Sequence, residues 1–241
     1  YDYIGVALPS QNKKSAIGLS LIRFGIDKIP NTLSLYNSDG TINYNNIVEF
    51  SAADYAFLGT YAQNRKLGQG QISLGGNVKV IRRVIGSFAN SWGFGLDVAA
   101  QYHQGGFRAG IVTKDITNTF NSWRFNFTDS EKATLSLTNN DIPISSRENT
   151  NPSIIVGIGY KKVLGKVGLS GEVDGVVTTD GRRNAVLSGN PISLSPAAGV
   201  EVSYDNLIFL RGGISNFQKD NTFSKSGFWI SQPSVGVGLK I

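Results

Sequence analysis

A chain of 241 residues with 29 glycines, no cysteine and no methionine cannot be a disulfide scaffold, use a thiol nucleophile or bind a metal through sulfur. Its net charge of +6 comes from Lys and Arg placed singly or in pairs, which argues against a nucleic-acid-binding face and fits an anionic lipid or an acidic partner better. No run of about 18 apolar residues occurs, so no transmembrane helix is expected.

Taken in order, the chain is a series of period-two segments, the signature of strands with one apolar face. In residues 1–8, Ile4, Val6 and Leu8 alternate with Tyr3, Gly5 and Ala7. After a polar turn at 10–14, Ile17, Leu19 and Leu21 alternate with Gly18 and Ser20. The pattern breaks over 28–53 into a long polar loop holding Tyr36, Tyr44 and a Ser-Asp-Gly turn signal at 38–40. Residues 55–62 and 72–80 form the third and fourth strands, and 81–90 loses the period and reads as an irregular or short helical connection.

The most regular segment is 92–103, WGFGLDVAAQYH. Trp92, Phe94, Leu96, Val98, Ala100 and Tyr102 lie on one face, with small or polar residues on the other. A membrane-spanning strand needs about 9–11 residues with an aromatic at each interface, and this segment has both. Phe107, Ala109 and Ile111 begin the next strand, and 115–152 reads as a loop of nearly forty residues containing Trp123, Phe125, Phe127 and an amphipathic piece at 131–137. Five further strands follow over 154–160, 167–173, 198–204, 208–214 and 235–241. Polar loops at 178–195 and 215–232 separate them, the second carrying Phe223 and Trp229.

These are about eleven strands whose connections alternate between short and long. That pattern fits an antiparallel up-and-down transmembrane β-barrel with tight turns on the periplasmic side, and a Greek-key sandwich gives no reason for it. If the long loops are external, the first and last strands both descend. An even total then requires an odd number of strands before residue 1, so the expected organisation is one barrel domain over 1–241, preceded by a signal peptide and further strands. The second face is rich in Gly, Ser and Ala, with Lys79, Asp97, Arg108, Lys114, Glu172, Asp174, Glu201, Arg211 and Lys240 of both signs. This suggests inner-wall ion pairs in preference to a charge-selective pore.

Catalytic, cofactor and metal sites are not expected. The only histidine, His103, sits at a strand end with no second histidine to join it as ligand or base. The turn at 180–184 presents Arg182 and Arg183, which could hold a carboxylate or a lipid phosphate or simply be a solvated loop tip. Tyr36, Tyr44, Trp123, Phe125, Phe127, Phe223 and Trp229 are read as aromatic loop residues available to a protein partner or packed on the rim.

Six segments, DYIGVA (2–7), GSFANSWGFGLD (86–97), TFN (119–121), TDGRRN (179–184), RGGISNFQ (211–218) and QPSVGVGLK (232–240), resemble the PorV/PorQ family of outer-membrane barrels, in order and over nearly the whole chain. The resemblance implies a fourteen-stranded barrel similar to the long-chain fatty acid transporter fold, of which about eleven strands lie here. It also implies a non-enzymatic role in type IX secretion in the outer membrane of a Gram-negative bacterium. The implied partners are a large secretion barrel, the C-terminal signal domains of exported proteins and outer-membrane lipid. Service in another outer-membrane complex, such as barrel assembly, and transport of a hydrophobic small molecule remain as alternatives.

Overall fold

The structure, a computed structural model, describes residues 1–37, 39–137, 145–220 and 228–240. Most of these residues belong to one antiparallel sheet. In chain order its strands are β1 (Asp2–Pro9), β2 (Ser15–Asn31), β3 (Val48–Leu67), β4 (Gly70–Ile85), β5 (Ala89–Gln104), β6 (Phe107–Lys114), β7 (Thr119–Phe125), β8 (Ser145–Thr150), β9 (Ser153–Leu164), β10 (Val167–Thr178), β11 (Leu187–Ser188), β12 (Ser193–Tyr204), β13 (Ile208–Asp220) and β14 (Phe228–Leu239). The path across the sheet is β1-β2-β3-β4-β5-β6-β9-β10-β12-β13-β14. These eleven strands form an up-and-down, barrel-like meander, and the other three add length, not breadth.

Tight turns join the strands along one end of the sheet. The β5–β6 hairpin turns at Gly105, with φ +57°, and the β12–β13 hairpin places Asp205 and Asn206 at φ +52° and +55°. Glycine meets this left-handed demand without steric cost, and Asp and Asn tolerate it.

Along the opposite end three readings of the sequence need correction. Residues 81–85 continue β4, so the connection to β5 is only residues 86–88 and the short-long alternation fails there. The alternation is hidden because Arg82 and Arg83 point to opposite faces, each with its own partners. Second, the supposed loop at 115–152 contains two paired strands. β6 pairs with β5 through Val98↔Thr113, and β7 resumes on β5 from Phe94↔Phe120 to Ala89↔Phe125. β8 returns on β7 through Asn121↔Glu148, and β9 follows after Asn151 and Pro152. The chain steps aside between β6 and β7 at Asp115 and Asn118, both in the left-handed region at φ +56° and +55°. Third, the polar loop at 28–53 is shortened at both ends, and that at 215–232 gives way to β13 through Asp220 and to β14 from Phe228.

The amphipathic piece becomes α1 (Asp129–Leu137). It opens on a capping box in which Glu131 N–H donates to Thr128 Oγ1 at 3.3 Å and Thr128 N–H donates to Glu131 Oε2 at 2.7 Å.

The sheet does not close on an apolar core. Its accessible surface is 16672 Å², against about 10,500 Å² for a compact monomer of this mass. Among the described residues the buried apolar side chains are Ala89, Trp123 and Ala185. β1 pairs only with β2 and β14 only with β13, so the eleven-strand path ends in an open edge on each side.

Candidate functional site

Register assigns every side chain to a face, because residues paired across a ladder share one and alternate along each strand. On the first face Ile4, Leu21, Phe57, Val80, Phe94 and Phe120 form one row. Leu169, Val202, Leu210 and Val237 form another. This face is exposed although it is the apolar one: Val6, Leu19, Val78, Ile158, Val200 and Val237 are all open to their surroundings. On β5 the band runs from Trp92 to Tyr102. That is about 34 Å along the strand, or roughly 26 Å across at a tilt of about 40°, close to the height of a membrane barrel's apolar band. Tyr61, Tyr160 and Tyr204 lie toward its turn-side border, where rings with a polar tip are favoured in such barrels.

The second face is polar and built on paired charges. Lys79 Nζ lies 2.7 Å from Asp97 and 2.5 Å from Asp115, and the three side chains are only 13%, 13% and 17% exposed. Asp115 N–H donates to Asp97 Oδ1 at 2.9 Å, and the Thr119 hydroxyl donates to Asp115 in a short contact. The network therefore fixes the sidestep between β6 and β7. Glycine makes it possible: a Cβ on Gly95 would collide with Thr119 Oγ1 and come within 2.7 Å of the Lys79 chain.

Above this network the inner face becomes aromatic. Trp123 and Phe125 alternate with outward Ser122 and Arg124 and so point inside, as does Phe50 on β3. Trp123 stacks on Phe125 (6.4 Å, 21°), Phe125 on Phe127 (6.2 Å, 10°), and Phe127 leads through Phe88 to an edge-to-face contact with Phe50 (5.0 Å, 85°). Arg83 caps the stack, 5.1 Å over the Trp123 ring and paired with Asp54 at 3.0 Å and Glu148 at 3.1 Å. Glu148 also accepts from Trp123 Nε1 at 2.9 Å. The β7–β8 hairpin is thereby tied to β3 and β4 across the interior.

On the β9–β14 side the inner face is a trough of about 630 Å³. Its floor includes Gly159, Gly199, Gly213 and Gly236, and Arg108, Lys161, Glu172, Asp174, Glu201 and Arg211 border it. Arg211 Nε donates to Glu201 Oε2 at 2.7 Å. Both signs are present at its border, so the trough offers hydrogen bonds and ion pairs beside its apolar wall and is not a wholly apolar slot.

The sequence-predicted residues fall into distinct places. Tyr36 and Tyr44 are 65% and 72% exposed in the β2–β3 connection. Trp123 and Phe125 lie in a strand, not a loop, and with Phe127 join the inner stack; Trp123 is only 9% exposed. Trp229 is exposed but belongs to β14, where it pairs with Lys219. Phe223 lies outside the described residues. Arg182 is exposed, whereas Arg183 is engaged: its Nε donates to both oxygens of Asp180 at 2.9 and 3.0 Å, with Nη2 also on Oδ2. The structure does not gather these residues into one surface. The aromatic period of two at 123, 125 and 127 is the sequence signal of this stack, but the face its rings take follows only from the register.

The Arg183 guanidinium holds the Asp180 carboxyl below its ordinary value of 3.8. A depressed carboxyl contributes its stabilisation in full above the unfolded value and loses it as pH falls through the folded one. Backbone amides of 181–184 are therefore expected to keep their exchange protection at pH 5 and lose part of it as the medium is acidified well below about pH 4. Asp180→Asn should remove this acid step. Hydrogen exchange across that range, before and after substitution, checks the sign.

Among the described residues no group of three His, Asp or Glu side chains could hold a metal ion, and no helix is long and apolar enough to cross a membrane. Searches with this sequence matched no family model and no curated protein.

Proposed function

We propose that this chain is the wall of an outer-membrane β-barrel of a Gram-negative bacterium and that it acts by binding other proteins, not by catalysis. The observation that carries the reading is the apolar face itself. Roughly 26 Å tall on β5, it is continuous across the strands and turned outward, while the ion pairs within its span, Lys79–Asp97 and Arg211–Glu201, lie on the opposite face. In water such a surface would be far larger than the apolar patches soluble monomers expose. In lipid it needs no covering.

Within that membrane we assign it to type IX secretion, as an accessory or shuttle subunit engaging the secretion channel or the C-terminal signal domains of exported proteins. This assignment rests on the PorV/PorQ-like segments. Tyr36, Tyr44 and Arg182, exposed at the loop end, are the first candidates for contact. The charge-bordered trough argues against transport of an apolar solute, which needs an apolar path.

The test is affinity purification of the full-length protein from its own envelope in mild detergent, with co-purifying proteins identified by mass spectrometry. Recovery of a very large secretion barrel or of proteins carrying type IX signal domains is the expected result. Recovery of barrel-assembly subunits in their place would move the chain to that machine, and a lone barrel loaded with lipid would favour transport.

A further inference from the structure

Just beyond the loop-side end of the apolar band, the outward face of β4, β7 and β8 carries three arginines brought together by register. Arg82 lies 5.0 Å over the Trp92 ring and donates to Asn90 Oδ1 at 2.9 Å. Asn90 is directly opposite Arg124 on the β5–β7 ladder. Ser122 is directly opposite Arg147 on the β7–β8 ladder, so Arg124 and Arg147 are diagonal neighbours on one face, about 7–8 Å apart. Among the described residues none of the three arginines is paired with a carboxylate. The nearest acid in sequence, Glu148, points to the inner face and is already held by Arg83 and Trp123. Arg124 and Arg147 are exposed, and on the same face the Phe94–Phe120 ring pair lies further into the band, one outward position beyond Trp92 and Ser122.

A cluster of unpaired guanidinium groups at the border of an apolar surface faces a definite chemistry. Below it are acyl chains, and at its own level are headgroups. Arginine's planar fork matches phosphate oxygens in pairs, and the partly desolvated border strengthens each contact. We infer that Arg82, Arg124 and Arg147 form a binding site for the phosphate of a phosphorylated glycolipid of the outer leaflet, its acyl chains lying on Phe94 and Phe120. Trp92 and Asn90 hold Arg82 in place; among the described residues Arg124 and Arg147 make no side-chain hydrogen bond, ion pair or ring contact, and they are the ligand-facing pair. The inference rests on the membrane reading above.

The experiment uses the full-length protein in detergent micelles doped either with bisphosphorylated lipid A or with its phosphate-free form, the bound lipid being counted by native mass spectrometry. Lipid A is expected to bind about tenfold or more tightly than the phosphate-free lipid. Arg124→Gln with Arg147→Gln is expected to remove that preference while leaving the heat-modifiable mobility of a folded barrel. Equal binding of the two lipids, or equal lipid A binding by the folded variant and the parent, would overturn the site. Complete displacement of lipid A by millimolar inorganic phosphate would also overturn it, because the site would then be one for a free anion. A parent protein that enters neither micelles nor vesicles would remove the membrane reading and this inference together, whereas one that inserts but ignores phosphate removes the inference alone.

Discussion

Lys79→Ala is expected to cost about 3 kcal/mol or more of stability, because it strands two carboxylates at once. Asp97 and Asp115 both lean on the single ammonium at 2.7 and 2.5 Å, and neither side chain is more than 17% exposed. With Lys79 removed, two negative charges that share a hydrogen-bonded neighbourhood repel each other where water reaches them poorly. Breaking a low-exposure pair from one side is costly, whereas removing the whole set of charges is often close to neutral. The variant Lys79→Met, Asp97→Asn, Asp115→Asn is accordingly expected to recover most of the loss. Guanidinium titration of the three proteins folded into detergent–lipid micelles measures both steps. A single variant as stable as the parent would show that the network is solvated and contributes little.

Leu96→Arg is expected to cost roughly 2–4 kcal/mol in a bilayer and to slow insertion into vesicles, as a cation near the midplane of a barrel's lipid face does. Leu96 stands on the outward face between Phe94 and Val98, midway between Trp92 and Tyr102. Its control is Gln101→Arg on the same strand: Gln101 is exposed on the opposite face, and the same cation there should change stability by no more than about 0.5 kcal/mol. The contrast between the two faces, more than either value, bears on the membrane reading. Equal effects would mean that the apolar face is covered by protein or is not in lipid.

The parts of the fold that the sequence made legible are those where one face meets one environment. Along β1, β5, β9, β12 and β14 the alternation is clean, since every second side chain belongs to the apolar band. The eleven-strand path and the turn-side hairpins follow from it. Legibility stops where strands rise past the band. There the outer face holds Arg82, Ser122 and Arg124 while the inner face holds Arg83, Trp123 and Phe125, so polarity no longer sorts by parity. Residues 81–85 and 119–125 therefore read as irregular sequence although they are strand. The inner stack was hidden for the same reason: aromatic residues in an apparent loop suggest exposure, and only the register turns Trp123 inward under Arg83. The basic cluster depends on β7 and β8 pairing beside β5, a relation between segments far apart in the chain.

The wall is not of even height. β9, β10 and β12 stop at the row of Lys114, Ser153, Thr178 and Ser193, whereas β5 runs on from Asp97 to Ala89 with β7 and β8 beside it. A parapet thus stands on one side of the rim. It is footed on the Lys79 network and buttressed from within by the aromatic stack. Its far margin, β8, has an unpaired edge whose sequence SSRENT is wholly polar, a composition that discourages another strand from adding there. Among the described strands the rim is thus a screen over one sector and a low sill over the sector of the charged trough, from which the connection 179–192 rises. For the protein partner proposed above, the described strands alone would make approach over this lower sector easier than approach over the parapet.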